Sequence, residues 1–243
     1  MKLFGQTDIG KMRDSNEDVF VFQQLASNMA YGLVCDGMGG VNGGNIASQM
    51  ARDVIAGHLT KELKPDMPQD LIQAIMMNAM ILANGEVYHK AMEDEKLNGM
   101  GTTAVLAVLA NETIYTVHVG DSRAYLYHDN VLTRLTTDHS FVQILLEQGK
   151  ITSKQAESHP QRNRITRAVG AQSEIEPEFH TFCFSAGDVL LLCTDGLTNS
   201  CSEEQIQEII ANNPPRELPA LLIAAANENG GQDNITVLVA VNK

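Results

Sequence analysis

The sequence predicts an α+β protein in which sheets and helices pack on one another in layers. Short apolar segments rich in β-branched residues recur along the chain and are typical of strands. Longer segments between them carry the apolar spacing of amphipathic helices. Because strands and helices come in blocks rather than in strict alternation, the pattern argues against a doubly wound parallel sheet and favours a layered sandwich.

The predicted strands are apolar segments bounded by charged or turn-forming residues. In chain order they are Val19–Phe22, Tyr31–Cys35, Thr102–Leu109, Thr113–Val119, Arg123–Tyr127, Phe179–Phe184, Val189–Cys193 and Ile235–Val241. The segment His128–Asn130 looks like a hairpin turn after the fifth of them.

The predicted helices show helical spacing together with start and stop signals. They are Asn45–Leu63, Gln69–Glu95, Ser140–Gln148, Glu203–Ala211 and Arg216–Asn229. Pro68 and Pro215 stand near helix starts, where proline is favoured. Gly149 and Gly230 follow helix ends, where glycine is favoured.

Composition limits the classes of partner. With 243 residues and 44% apolar content, the chain is expected to form a single domain spanning residues 1–243. A formal net charge of -13 with no basic patch argues against nucleic acid and anionic membrane surfaces as partners. The 4 cysteines form no CxxC pair, which fits a reduced cytoplasm, and no segment approaches the roughly 18 apolar residues of a membrane span.

The most informative pattern is the position of four aspartates beside predicted strands. Asp36, Asp121 and Asp195 each follow a strand, and Asp233 precedes one. Each alone is most simply a turn residue, because Asp-Gly and Gly-Asp are common turn signals. If several of these strand ends share one rim, however, the carboxylates repel one another unless cations neutralise them. The pattern therefore indicates a metal site.

The ligand chemistry indicates which metal. No histidine or cysteine falls at metal-ligand spacing near these motifs, so the candidate ligands are hard oxygens, which favour Mg²⁺ or Mn²⁺ over structural zinc. The acidic segment Asp14–Asp18 resembles a calcium loop only briefly, since Leu25 stands where that loop needs its final glutamate. Arg13, just before this segment, offers a planar fork for phosphate oxygens; the alternative is an ordinary solvated arginine.

Six motifs, taken together and in order, resemble those of one family. They are Arg13–Asp18, Val34–Gly40, Met100–Thr103, Val119–Arg123, Cys193–Gly196 and Gly231–Asn234. The family is the metal-dependent protein phosphatases, also called type 2C serine/threonine phosphatases, and the match is most similar to compact bacterial members. The resemblance runs from about Phe4 to Val241 and so covers nearly the whole chain.

The resemblance implies a four-layer α-β-β-α sandwich with two central, mainly antiparallel sheets and a binuclear metal site at one end. It implies a hydrolase that removes phosphate from phosphoserine and phosphothreonine in proteins. We expect a monomer in the cytoplasm. A water bridging two Mn²⁺ or Mg²⁺ ions would attack phosphorus directly, with no covalent intermediate. The partners implied are phosphorylated proteins, among them a bacterial serine/threonine kinase that the enzyme counteracts.

The resemblance also implies the ligands of the two tightly bound ions. Asp36 would bridge both ions, Asp195 and Asp233 would hold the first, and Glu17 with the carbonyl of Gly37 would hold the second.

Further roles follow by position in the same motifs. Asp121, together with Asp195, would serve a third, weaker metal ion, and Arg13 would clamp the substrate phosphate. Asp18 would support the ligands from outside the metal shell. No cysteine begins a Cys-x5-Arg loop and no GxxxxGK[ST] loop occurs, so nothing points to a tyrosine phosphatase or a nucleotide-binding loop.

One departure from the family pattern concerns the group that protonates the leaving alkoxide. Many members carry a histidine at the position of Met38 or of Val41, and this chain has neither. The proton would come from a metal-bound water or from another histidine such as His139, whose alternative role is a helix-start residue beside Asp138.

The segment 140–167 corresponds to the variable flap of the family. Its basic residues, Arg162 and Arg164 among them, would either meet acidic phosphopeptides or belong to an ordinary solvated loop. Two rival functions remain at this point. One is a phosphoprotein-binding pseudophosphatase, and the other is a metal hydrolase of small phosphoesters.

Overall fold

The structure, a computed structural model, describes residues 1–39 and 43–242. Val41, considered above for leaving-group protonation, lies outside the described residues. The strands are β1 (Lys2–Asp8), β2 (Asp18–Ala26), β3 (Met29–Met38), β4 (Gly101–Thr102), β5 (Ala104–Ala110), β6 (Thr113–Val119), β7 (Arg123–His128), β8 (Val131–Arg134), β9 (Glu178–Cys183), β10 (Val189–Cys193) and β11 (Ile235–Val241).

The helices lie in blocks between these strands. They are α1 (Gly43–Glu62), α2 (Gln69–Glu93), α3 (Phe141–Glu147), α4 (Ser153–Glu157), α5 (Asp195–Thr198), α6 (Glu203–Asn212) and α7 (Leu218–Glu228), with a 3₁₀ turn at Glu95–Leu97. Among the described residues, no helix has the length and apolar content that crossing a membrane requires.

Two antiparallel sheets form the centre of the molecule. The first has the strand order β1-β11-β10-β7-β8, and the second has the order β2-β3-β5-β6-β9 with β4 added beside β3. Their inner faces pack on each other through side chains such as Val34, Val105, Leu192 and Leu238. Neither inner face is therefore exposed to water.

The two faces of β10 show why the sequence needs a layer on each side of the sheet. Successive strand residues point to opposite faces. Leu190 and Leu192 face the other sheet, whereas Leu191 and Cys193 pack in a separate cluster with side chains of α6 and α7. Because both faces are apolar, β10 reads as a continuous apolar segment rather than an alternating one.

The outer face of the second sheet is covered in the same way by α1 and α2. In α1, Ala47, Ala51, Ile55 and Leu59 recur at four-residue spacing, so that they form one buried stripe. Small residues of this stripe let the helix lie close to β3. The order of layers is therefore helix, sheet, sheet, helix, as the resemblance implied.

The structure differs from the predicted elements in several places. The strands β1 and β8 and the short helices α4 and α5 were missed. β1 alternates only weakly between apolar and polar residues, and its partner β11 supplies the pairing. β3 runs to Met38 because Gly37 and Met38 pair with β4, so Asp36 lies inside a strand and not after its end.

We call residues 140–165 the flap segment. Its base is closed by two backbone hydrogen bonds, from Phe141 N–H to the Arg164 carbonyl at 2.8 Å and from Thr166 N–H to the His139 carbonyl at 2.8 Å. The guanidinium of Arg164 lies 5.3 Å from the centre of the Phe141 ring, a cation-π contact at the same place. Between these anchors lie α3, whose side chains are mostly half-buried, and α4, in which Ser153, Lys154 and Gln155 are exposed.

Candidate active site

Four elements bring carboxylates to one end of the sandwich. Asp18 begins β2 and lies directly opposite Asp36 of β3 in the pairing register. Asp195 begins α5, immediately after β10, and Asp233 lies just before β11, the neighbour of β10 in the first sheet. Each sheet thus contributes two carboxylates. We call Asp18, Asp36, Asp195 and Asp233 the acidic cluster.

Close backbone approaches hold the cluster in place, and they require glycine. A Cβ on Gly37 would overlap the carbonyl oxygen of Gly44 at the start of α1. A Cβ on Gly44 would overlap the carboxylate of Glu17, and one on Gly196 would overlap the carbonyl of Asn234. The backbone therefore comes closer to the carboxylates than any other residue type permits.

Glu17 is fixed from two sides. Its backbone N–H donates to Asn234 Oδ1 at 2.9 Å, and its carboxylate accepts the backbone N–H of Asn45 in the first turn of α1. Burial nevertheless raises the pKa of Glu17, while Arg13 and the Asn45 hydrogen bond act in the opposite direction. The carboxylate is therefore held in place but incompletely compensated.

Asn234 anchors this end of the molecule. Its side-chain amide donates to the carbonyls of Ile9 and Ser15, each at 2.9 Å, while its oxygen accepts from Glu17. The sequence indicated Asn234 only as part of a motif and gave it no role. Its use of both amide ends explains why an asparagine follows Asp233, since this side chain both donates and accepts.

The carboxylates of the acidic cluster repel one another. Burial raises the pKa of Asp36 well above its usual range, and the charges of Asp18 and Asp195 raise it further. The pKa of Asp195 is also raised, first by burial and then by the charge of Asp233. Like charges brought together out of water favour protonation or a bound cation.

Asp18 lies beneath the cluster, almost completely buried. The hydroxyl of Thr194 donates to its Oδ2 at 2.8 Å, while its Oδ1 has no hydrogen-bond partner among the described residues. Burial, and then the charges of Asp195 and Asp233, raise its pKa to about 7. A buried oxygen without a partner is costly and points to a ligand outside the protein chain.

Asp121 lies at the edge of the cluster, after a turn in which Gly120 has φ of 108°. The side chain is buried, and its pKa is raised to about 8, first by burial and then by the charges of Asp195 and Asp138. The positive φ explains the glycine, because L residues rarely adopt this conformation.

Arg13 is the cation nearest the cluster that faces solvent. Its Nη2 donates to Asp233 Oδ2 at 2.7 Å, and its side chain is 52% exposed. The fork that the sequence predicted for phosphate capture is thus held beside a cluster carboxylate, with the rest of the guanidinium open to solvent. An incoming anion reaches this group without displacing buried structure.

The arrangement fits hard divalent cations. The donors are carboxylate and carbonyl oxygens, which suit Mg²⁺ or Mn²⁺. Positive charge in the cluster would offset the mutual repulsion of these buried carboxylates.

Comparisons with known proteins agree with this geometry. The sequence profile of the family described as Protein phosphatase 2C matches residues 11–217. The chain belongs to the protein phosphatase 2C family. The serine/threonine phosphatase stp of Listeria monocytogenes is 37% identical over 235 residues, which cover 96% of this chain and 93% of that protein.

Solved structures show the same fold. The serine/threonine phosphatase PstP/Ppp of Mycobacterium tuberculosis superposes with a TM-score of 0.89 at 36% identity, covering 100% of this chain and 98% of that one. A catalytic domain of PstP in complex with 2 manganese ions superposes with a TM-score of 0.84 at 32% identity, covering 99% and 97%. The predicted family and the predicted layered fold are therefore confirmed.

His139, one candidate for proton donation in this phosphatase, lies on the inner side of Gly120. Its backbone N–H donates to the Gly120 carbonyl at 2.9 Å, and its Nδ1 accepts the Gly120 N–H at 3.2 Å. Burial lowers its pKa to about 4. At neutral pH it is therefore uncharged and poorly suited to protonating a leaving group, and its contacts position the Gly120–Asp121 turn. The N-cap of α3 is Ser140, so His139 is not the helix-start residue either.

A second group of side chains has the spacing of a metal site but differs in chemistry. Donor atoms of His118, His139 and Glu178 lie within 4.8 Å of one another. Because Nδ1 of His139 accepts a hydrogen bond, its Nε2 carries the hydrogen, and this atom lies 3.0 Å from Glu178. Arg167 also donates to Glu178 at 2.9 Å. Because the guanidinium of Arg167 already neutralises the carboxylate of Glu178, we interpret this group as a hydrogen-bonded network and not as a metal site.

Proposed function

We propose that this protein is a metal-dependent phosphatase that hydrolyses phosphoserine and phosphothreonine in other proteins. The observation that carries the proposal is the acidic cluster, whose buried like charges meet at the end of the two sheets beside the exposed guanidinium of Arg13. Membership of the protein phosphatase 2C family supports the same conclusion.

We assign the metal-holding groups as follows. Asp36 would be a ligand of two ions, Asp195 and Asp233 would help to hold the first, and Glu17 with the Gly37 carbonyl would help to hold the second. Asp121, whose pKa is raised by the charge of Asp195, would serve a weaker third ion. When bound, the ions supply Lewis acidity, which makes water nucleophilic near neutral pH and offsets charge on the phosphoryl group.

The remaining groups of the chain bind and orient. Arg13 donates charge-assisted hydrogen bonds to the oxygens of the phosphate dianion and orients it beside the acidic cluster. The hydroxyl of Thr194 donates to the buried carboxylate of Asp18 and so fixes it next to the metal-holding carboxylates. The side chain of Asn234 accepts the backbone N–H of Glu17 and fixes its position. Met38, the last residue of β3, has no proton to give, so we assign protonation of the leaving alkoxide to water.

The wider setting is also part of the proposal. We infer that residues 1–243 form one catalytic domain, because the inner faces of the two sheets bury each other. The substrates are phosphorylated proteins of the cytoplasm, among them a serine/threonine kinase that the enzyme counteracts, and the enzyme acts as a monomer.

The test measures phosphate release from three substrates, a phosphothreonine peptide, a phosphotyrosine peptide and a nucleotide. Each is assayed with Mn²⁺, Mg²⁺, Zn²⁺ or a chelator. We expect hydrolysis of the phosphothreonine peptide with Mn²⁺ or Mg²⁺, little activity with Zn²⁺, and none with chelator. Full activity of the metal-stripped protein would refute the mechanism. Metal binding without turnover of any substrate would indicate a phosphoprotein-binding module instead.

A further inference from the structure

A groove of about 770 Å³ opens beside Asp121 and Asp195, within the size range of pockets that bind ligands. One wall is the flap segment, and the opposite wall is the turn from α5 into the start of α6. Its third side carries Arg123, Arg134 and Asp138. A peptide whose phosphorylated residue enters the acidic cluster would extend along this groove.

Within that third side, Arg123 is fully occupied by protein partners. Its Nε and Nη2 donate to the two carboxylate oxygens of Asp138 at 3.0 and 2.8 Å. Its Nη1 donates to the hydroxyl of Tyr125 at 3.2 Å. This bidentate pair uses the charge of Asp138.

Arg134 shares the same carboxylate without a second acceptor. Its Nη2 contacts Asp138 Oδ1, and among the described residues its buried Nε has no hydrogen-bond partner. Two guanidinium groups thus meet one carboxylate, so these three side chains carry one surplus positive charge. Arg162 of the flap segment also lines the groove, as do Asp121 and Asp195, whose negative charges are assigned to metal ions. The Arg134 side chain is only 26% exposed, so solvent screens its charge incompletely. An anion entering the groove would pair with the exposed part of this guanidinium.

The opposite wall carries charge of the other sign. Glu203 and Glu204 begin α6 and line the groove, both exposed. An acidic side chain in the groove is repelled from that wall and attracted to Arg134. The two walls therefore define on which side an anionic group binds.

We propose that Arg134 selects protein substrates with an acidic residue near the phosphorylated serine or threonine. The inference rests on the proposed phosphatase function and adds the substrate class that the groove prefers. A carboxylate and a second phosphate share the required chemistry, and the experiment distinguishes them.

The test uses a series of phosphothreonine peptides in which a single glutamate occupies each position from three before to three after the phosphothreonine. A peptide with neutral residues only is the reference, and peptides with a non-hydrolysable phosphonate analogue of phosphoserine in place of glutamate form the second arm. The readout is the ratio of kcat/KM for each peptide to that for the reference, so that a general loss of activity cancels.

For the wild type we expect one or two adjacent positions at which glutamate raises kcat/KM about tenfold. Arg134→Gln should bring that ratio to within about twofold of one, and Arg134→Lys should retain part of it. The phosphonate arm should show a larger ratio at the same position if a phosphate group is the better ligand. Arg216→Gln, a change at an exposed arginine before α7, is the matched control and should keep the wild-type ratio.

Salt supplies a measurement that needs no variant. The glutamate preference of the wild type should shrink as salt rises from about 0.05 to 0.5 M, because screening weakens the attraction to Arg134. A glutamate preference that survives in Arg134→Gln, or equal rates on all peptides, would overturn the inference about Arg134 but leave the proposed phosphatase function intact. Hydrolysis of p-nitrophenyl phosphate without hydrolysis of any peptide would overturn the proposed function itself.

Discussion

Two groups of charged side chains lie near the Gly120–Asp121 turn, and they differ in how far opposite charges balance one another. In the acidic cluster, buried carboxylates repel one another and Asp18 keeps an oxygen without a partner. In what we call the paired network, Arg123 and Arg134 share Asp138. The first group is destabilising until a cation arrives, whereas in the second the bidentate Arg123–Asp138 pair stabilises the fold by itself and only Arg134 is left with surplus charge. Binding chemistry is thus expected where the protein leaves charge unbalanced.

The largest expected effect comes from Asp36→Asn. Because Asp36 is assigned to both ions, we expect phosphatase activity to fall by at least about a hundredfold. Without metal the variant should be more stable than the wild type by about 1–2 kcal/mol, since one repelling charge is gone. Steady-state kinetics and thermal unfolding with chelator measure the two effects.

Adding Mn²⁺ should reverse the stability order of this pair of proteins. The wild type binds the ion in its folded state and gains stability by mass action, while the variant gains less. A variant that loses activity and folding together would show that Asp36 is a structural residue. The acidic cluster would then not be destabilising without metal, which contradicts the comparison above.

Asp138→Asn tests the other side of the comparison. Removing this carboxylate leaves two partly buried guanidinium groups unpaired, so we expect a loss of about 3 kcal/mol in unfolding free energy. Denaturant unfolding measures it. Asp53→Asn is the control, because Asp53 pairs with Arg52 at the surface with its side chain 67% exposed and should change stability by less than about 1 kcal/mol. Equal effects of the two substitutions would show that the paired network contributes no more than a surface pair.

The sequence predicted the acidic cluster better than the paired network, for a physical reason. Apolar strands buried on both faces are visible as continuous segments, and Asp-Gly or Gly-Asp beside them marks a strand terminus. Asp36, Asp195 and Asp233, with Asp121 at the edge of the cluster, were therefore picked out from local pattern, although Asp36 lies within β3. Asp18 was indicated only by the family resemblance.

The paired network depends on contacts that local pattern does not encode. Arg123 and Asp138 are fifteen positions apart in sequence and meet only because β7 and β8 form a hairpin. In the sequence, Asp138 was noted only as the residue beside His139, whose alternative role was that of a helix-start residue. The short edge strand β8 was missed because four residues with alternating exposure carry too little periodicity to identify.

Arg13→Ala gives a smaller effect at the border of the acidic cluster. If the arginine holds phosphate equally in ground and transition states, the Michaelis constant should rise about tenfold with little change in kcat. Arg13→Lys should fall between the two, since it restores charge but not the fork. Steady-state kinetics of all three proteins on one phosphothreonine peptide at saturating Mn²⁺ measure this. Identical constants for wild type and alanine variant would show that phosphate binds elsewhere.

The smallest effect concerns a charge pair at the β7–β8 turn, where pairing depends on pH. His128 Nδ1 lies 2.6 Å from Asp188 Oδ1, and Asp129 lies 3.3 Å from the other ring nitrogen. The hydrogen bond and charge of Asp188, then Asp129, raise the pKa of His128 above its usual value of about 6.5.

A raised pKa in the folded state means that the pair contributes its full stability below the unfolded pKa and loses it as pH rises through the folded pKa. Wild type should therefore exceed His128→Gln in unfolding free energy by more at pH 5.5 than at pH 8.5. His89→Gln, a change at an exposed histidine of α2, controls for the substitution itself and should show no such trend. Denaturant unfolding across this range measures the difference, and a gap between wild type and His128→Gln that stays constant or widens with rising pH would show that Asp188 does not hold the protonated form. The His128–Asp188 pair lacks the two parallel hydrogen bonds of the Arg123–Asp138 pair, so we expect it to stabilise the fold less. Burial and geometry, rather than the mere presence of opposite charges, then set how much each pair stabilises the fold.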